Sequence, residues 1–301
     1  MRTLRMVAAA GSLLLLVGCG TSAPGEGDAS EASGGGPFPV TVDGTTVESE
    51  PERIVSLSPA VTEMLFAIDA GDQVVAVDEY SNYPSDAPVT DLSGFSPNIE
   101  AIASYDPDLV IVSAYGDEIV PQLGALGITT FVAPDDPTVI DNVYEQITGL
   151  GTLTGNAPEA RDLVERMRAD LGKLIEDAPQ RDEPLTYYIE IDDTYWTYTA
   201  GSLVGSLLEQ LGLRNIADDE ASVSTQLSAE AIVAADPDVI FLMNSGFGVD
   251  AEAVAARPGW GTITAVRDGA IFPLDADIAS RWGPRTVDLV AEVARATDTL
   301  Q

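Results

Sequence analysis

Two glutamates recur in matched surroundings. Glu100-Ala101-Ile102 leads into Asp106-Pro107-Asp108-Leu109-Val110-Ile111, and Glu230-Ala231-Ile232 leads into Asp236-Pro237-Asp238-Val239-Ile240-Phe241. Each stands two residues after a helix-capping side chain, Asn98 or Ser228, which places it in the first turn of a short helix. A carboxylate there complements the helix macrodipole by a few tenths to about 1 kcal/mol; repeated at one spacing, it also offers a matched pair of anionic contacts. Other acids occur side by side, Asp192-Asp193 and Asp218-Asp219, a pairing that glycoside hydrolysis can use but that neighbours on one loop more simply supply as solvated charge. The chain has no histidine, which removes Ser-His-Asp and Cys-His catalysis, imidazole proton shuttles and imidazole metal ligands. No Gly-x-x-x-x-Gly-Lys run or Gly-x-Gly-x-x-Gly turn follows a strand-like segment. These residues point to a binding protein, not an enzyme, with no cofactor and no direct metal-ligand set.

The repeat implies two similar lobes, and the elements around it say how they are built. Asp-Pro-Asp ends each short helix, because proline disfavours helical geometry in the residue before it, and the branched run that follows reads as a buried strand. Strand-like runs at 54–57, 74–77, 109–112, 130–132, 187–191, 239–243 and 270–272 alternate with helical stretches, an α/β pattern with largely parallel sheets. Between the repeats, 158–178 predicts a helix about 30 Å long, with Leu163, Met167, Leu171 and Leu174 on one face. Such a helix can bridge the lobes stiffly.

In open parallel sheets ligands gather beyond the carboxyl ends of strands, and there the aromatic residues collect: Tyr80 and Tyr83, Phe95, Tyr115, Tyr195, Trp196, Tyr198 and Trp282. Aromatic loops around a cleft suit a large planar or amphipathic small molecule. Arg281 is the polar candidate among them, since arginine is scarce here and a guanidinium can pair with a carboxylate, a phosphate or an anionic chelate. Its alternative is an ordinary helix-start salt bridge. The net charge of −35 argues against nucleic acid and anionic lipid surfaces as partners.

At the amino terminus, Arg2 and Arg5 precede an apolar run too short to span a bilayer, with the anatomy of an export signal. It ends Leu16-Val17-Gly18-Cys19, which resembles the lipobox of bacterial lipoproteins, and Cys19 is the single cysteine of the chain. Residues 20–36 are Gly, Ser, Thr, Ala, Pro, Asp and Glu, a flexible tether with an r.m.s. reach of roughly 20–25 Å. The expected organisation is a signal peptide at 1–18, a lipid-anchored tether and start of the mature chain at 19–50, a first lobe at 51–155, an interlobe helix at 156–180 and a second lobe at 181–301.

Pro51-Glu52-Arg53-Ile54-Val55-Ser56-Leu57-Ser58-Pro59 with Thr62-Glu63 resembles the opening of the substrate-binding proteins of bacterial ABC importers for ferric siderophores, heme and vitamin B12. So do Tyr80-Ser81-Asn82-Tyr83-Pro84, Asn98-Ile99-Glu100, Ala200-Gly201-Ser202, Ser228-Ala229-Glu230, Arg257-Pro258-Gly259-Trp260 and Gly283-Pro284-Arg285. The resemblance implies two lobes joined by one long helix with a central cleft, a monomer anchored on the outer face of the cytoplasmic membrane. It also implies docking through Glu100 and Glu230 onto a permease dimer served by a separate ATPase. Tyr80, Tyr83 and Tyr198 resemble aromatic positions of the vitamin B12-binding members. Gly94-Phe95 and Ile278 stand near points where those members carry tryptophan, whereas Arg281 beside Gly283-Pro284-Arg285 resembles the iron-chelate binders. A ferric siderophore is therefore the expected cargo, with a corrinoid next. Two other classes stay open, a lipid-anchored carbohydrate-active enzyme and a surface adhesion module.

Overall fold

The branched runs form parallel strands in two four-stranded sheets built on one plan. The computed structural model describes residues 38–134, 137–218 and 221–300; the signal segment, Cys19 and the tether lie outside them. The chain enters through a hairpin, β1 (Val40–Val42) and β2 (Thr45–Val47), and continues through β3 (Ile54–Leu57), α1 (Pro59–Ala67), β4 (Val74–Val77), α2 (Ile99–Ala103), β5 (Leu109–Ser113), α3 (Val120–Ala125), β6 (Thr129–Ala133) and α4 (Ile140–Thr154). After the long α5 (Ala157–Asp177) come β7 (Leu185–Glu190), β8 (Trp196–Tyr198), α6 (Leu203–Gln210), β9 (Leu213–Asn215), β10 (Ser224–Gln226), α7 (Ala229–Ala235) and β11 (Val239–Leu242). The chain closes with α8 (Ala251–Ala255), α9 (Thr264–Asp268), β12 (Ile271–Pro273), α10 (Ala276–Ser280) and α11 (Thr286–Asp298).

The first sheet runs β4-β3-β5-β6 and the second β12-β11-β7-β9, every pair parallel. In each, the first strand lies between the second and the third, and the fourth joins the third on the outside. The expected fold class, two α/β lobes with parallel sheets, is what the chain adopts. β8 and β10 form a separate antiparallel ribbon.

Alternation along the strands divides the core, because successive side chains leave opposite faces of a sheet. Ile54, Leu109 and Ile111 of the first sheet and Tyr187, Ile189, Val239 and Phe241 of the second belong to one apolar cluster, which also holds Leu163, Met167 and Leu171 of α5. Their neighbours point the other way: Val55, Leu57, Val110 and Val112 into a cluster confined to the first lobe, and Tyr188, Ile240 and Leu242 into one confined to the second. The interior on the α5 side is therefore continuous through both lobes, and α11 packs against α5 and α6 to close it.

The repeated Asp-Pro-Asp segments are structural. Asp236 takes the left-handed conformation that ends α7, at φ 47°, and Asp106 takes it three residues past α2, at φ 49°. Asp108 accepts the amide of Glu52 at 2.8 Å ahead of β3, and Asp238 accepts the amide of Thr186 at 2.8 Å in β7. Both carboxylates thus pin a neighbouring strand to its partner.

The folded body begins earlier than residue 51. Asp43 and Gly44, at φ 47° and 82°, make the tight turn that a two-residue hairpin requires. Val47 is buried, Val40 and Val42 pack on the continuous core, and the hairpin contacts β6 and α4.

Candidate functional site

At the carboxyl edge of the first sheet, a buried polar chain fixes the loop after β4. The Thr62 hydroxyl donates to Ser56 Oγ at 2.8 Å and lies 2.9 Å from Ser81 Oγ, and Ser81 donates to Asp78 at 3.1 Å. Asp78 also accepts the Tyr80 amide at 2.8 Å. Burial pushes the Asp78 carboxyl above the usual carboxylate range, opposed by these hydrogen bonds and by the Arg281 charge. Held in this way, the loop turns Tyr80 and Tyr83 outward.

Tyr80, Phe95 and Tyr115 are 53%, 67% and 66% exposed. The Tyr80 and Phe95 rings meet edge to face at 6.0 Å, and Phe95 and Tyr115 meet tilted at 6.3 Å. Gly94 makes this placement possible, because a Cβ there would stand 2.8 Å from the Leu57 carbonyl oxygen. Three loops thus contribute one ribbon of exposed aromatic rings, a kind of surface that marks ligand or partner contact.

The second lobe treats its aromatics differently. Tyr195 packs on Trp260 at 5.8 Å, and both rings cover the Arg257 guanidinium, at 5.6 Å and 4.6 Å. Arg257 holds the fully buried Glu190 by two hydrogen bonds of 2.5 and 2.7 Å, and Asn244 adds a third at 2.8 Å. Those bonds to Glu190 push the Arg257 pKa further up. Tyr198 meets Trp282 edge to face at 5.7 Å and donates to the Ala279 carbonyl at 3.3 Å. Trp196 and Phe247 are the exposed rings here. Phe247 was not singled out in the sequence, being an isolated ring in a Gly-rich turn.

Where the lobes meet, Glu63 of α1 is buried and receives Arg285, through Nε at 2.7 Å and through Nη2, with Arg281 Nη1 at 3.4 Å. Arg285 lies 4.3 Å over the Tyr83 ring, and its bonds to Glu63 raise its pKa. Arg281 is 8% exposed. Its guanidinium reaches Asn82 Oδ1 at 2.6 Å, the Tyr80 carbonyl at 3.0 Å and Asp277 at 2.9 Å. Of the two readings for Arg281, ligand cation or helix-start salt bridge, the geometry displays the salt bridge, with Asp277 in the first turn of α10 at 2.9 Å, and adds a second across the lobes to Glu63 at 3.4 Å. Glu63 and Arg285 escaped selection because only the fold brings residues 222 positions apart together.

Glu100 and Glu230 are both exposed, and among the described residues no ion pair engages either. The expected caps are in place: Asn98 accepts the Ala101 amide at 3.0 Å and Ser228 the Ala231 amide at 3.1 Å. α2 feeds β5 as α7 feeds β11, the third strand of each sheet, so the two acids hold equivalent positions. A crossover helix runs back against its sheet, and its start belongs to the edge where the strands end. Two surface hollows lie elsewhere, about 400 Å³ between Val42, Phe131 and Gln146 and about 510 Å³ between Val139, α6 and β9.

Comparison with known proteins agrees with this architecture. The family model described as periplasmic binding protein matches residues 54–278. An uncharacterized ABC transporter substrate-binding lipoprotein of Bacillus subtilis, YvrC, is 33% identical over 298 residues, covering 94% of this chain and 93% of that one. A cobalamin-binding protein of Halobacterium salinarum is 34% identical, covering 86% and 74%. Among solved structures, the periplasmic vitamin B12 binding protein BtuF of Vibrio cholerae superposes with a TM-score of 0.69 at 27% identity, covering 82% and 97%. The heme-binding protein HutB of Vibrio cholerae gives 0.71 at 22% identity, covering 81% and 97%, a likeness of fold alone.

Proposed function

The chain belongs to the periplasmic binding protein family, and from that premise we propose that it captures a corrinoid outside the cytoplasmic membrane and delivers it to the permease of an ABC importer. The observation that carries the choice of guest is the exposed ribbon of Tyr80, Phe95 and Tyr115, beside which Arg281 and Arg285 are already held by protein acceptors. A ferric siderophore was the expectation while Arg281 counted as a cation offered to an anionic chelate. With that guanidinium bound across the lobes, the rim favours a large guest held by ring contact. Relatives named for cobalamin and vitamin B12 lean the same way.

The mechanism is one of binding and hand-over. The guest rests on the aromatic ribbon, with Trp196 and Tyr198 as candidate contacts on the second lobe. Glu100 and Glu230, one per lobe and free of internal ion pairs, dock on cationic side chains of the permease, setting register and encounter rate. Cys19 carries the lipid that keeps the body near its partner, and the protein's own part involves no covalent step.

Titrating the purified body with cyanocobalamin, ferrichrome and hemin tests the guest, because Trp196 and Trp282 report binding by quenching. Saturable quenching by cyanocobalamin is expected; quenching by ferrichrome alone moves the cargo to iron chelates. In cells, Glu100→Ala with Glu230→Ala should abolish uptake of the quenching ligand while the purified double variant binds it normally. Unimpaired uptake would remove the docking role.

A further inference from the structure

We infer that Arg281 is a positioning residue, a strut from the second lobe that holds the Tyr80–Tyr83 loop of the first in place for a guest that it does not itself touch. Its geometry stands by itself, and only its consequence for affinity rests on the binding reading above. Arg281 follows α10, which is reached from β12 of the second sheet, yet three of its four acceptors lie on the first lobe: the Tyr80 carbonyl at 3.0 Å, Asn82 Oδ1 at 2.6 Å and Glu63 at 3.4 Å. Asp277, one turn before Arg281, closes the circuit. It pairs with Arg281 Nη2 at 2.9 Å and accepts from Asn82 Nδ2 at 3.0 Å.

Both terminal nitrogens of Arg281 are thus engaged twice within the protein. A guest anion would have to displace a carboxylate or an amide oxygen to reach them, and desolvated charge pairs resist such exchange. A bond to the Tyr80 carbonyl and another to Asn82 grip the loop on both sides of Ser81, whose own amide and hydroxyl face Asp78 at 3.1 Å. The loop is therefore clamped from beneath by its own lobe and from the side by the other. Arg285 extends the clamp by lying over the Tyr83 ring. The first lobe displays the aromatic ribbon, and the second fixes its orientation.

Amide hydrogen exchange on the ligand-free chain tests the strut. In Arg281→Met, the amides of Tyr80, Ser81 and Asn82 should exchange about tenfold faster, as expected for losing a charged hydrogen bond in one local opening unit. Amides of β3 and β5 should keep their wild-type rates. Arg281→Lys should not rescue the loop, since one ammonium cannot reproduce the planar fork that spans Tyr80 and Asn82. Asn82→Ala leaves Glu63 paired and reads the same loop if Arg281→Met fails to fold. Unchanged exchange at 80–82 in both variants, or equal acceleration throughout the sheet, overturns the inference. Cyanocobalamin titration of the same variants reads the binding consequence separately. A wild type that ignores cobalamin removes the proposed cargo and leaves the strut standing.

Discussion

At the rim of the first lobe Tyr80 and Tyr115 each pack against Phe95 in the open, whereas at the rim of the second Tyr195 covers a buried ion pair and Tyr198 leans on Trp282. The backbones beneath are equivalent, down to matched caps and matched aspartates that pin the strands. Equivalent scaffolds therefore carry unequal tasks: one rim presents surface, the other braces itself and its neighbour. Strand order and the position of a loop are fixed by the repeat. Whether an aromatic ring on that loop faces solvent depends on what packs behind it, here Arg257 and Trp260 behind Tyr195 and only Gly94 over the Leu57 carbonyl beside Phe95.

The largest effect that would test this contrast is on stability. Glu190→Ala leaves the Arg257 side chain, only 17% exposed, without its carboxylate, and removing one partner of such a pair costs about 3–5 kcal/mol. Urea unfolding should show this loss, and a loss below 1 kcal/mol would mean that the second rim is not braced by the pair. Next in size is binding. Phe95→Ala, at the centre of the ribbon, should weaken cyanocobalamin roughly tenfold or more, as for a central aromatic anchor, while Trp196→Ala should change affinity by less than about threefold. Calorimetry can separate the two variants, and equal losses would make the rims equivalent in function as well as in fold. The smallest effect is a slope against pH. Because the folded Asp78 pKa is raised above its unfolded value, its contribution to stability is full below about pH 3.9 and declines as pH rises through the folded pKa. Asp78→Asn should therefore gain on wild type as pH rises above about 4, read from urea midpoints. A gap that widens against the variant over that range would mean that ionised Asp78 is favoured by its hydrogen bonds despite burial.

Much of this architecture was legible because parallel strands buried on both faces read as unbroken branched runs. The segments 54–57 and 74–77 were bounded as observed, and the long helix was displaced by a single residue. The edge strand Leu213–Asn215 was not legible, since Arg214 and Asn215 interrupt any apolar run, and neither was the ribbon of Trp196–Tyr198 with Ser224–Gln226, whose second strand is wholly polar. At the site, residue type and loop position located the aromatic side chains but not their surroundings. Nothing local distinguishes Tyr80 from Tyr195, each of which follows a strand. Three acceptors of Arg281 lie about 200 positions away in the chain, beyond the reach of any spacing rule; only Asp277, four residues before it, is within reach of one.

The undivided apolar interior along α5 has a bearing on how such a protein can change. Neither half owns a complete interior, so a graft that exchanges one half for a foreign counterpart must carry the inward stripe of Leu163, Met167 and Leu171 along with it. The guest preference proposed above, by contrast, rests on Tyr80, Phe95 and Tyr115, exposed rings outside that interior. New specificities can therefore be acquired one side chain at a time, while the framework below them alters only in concert.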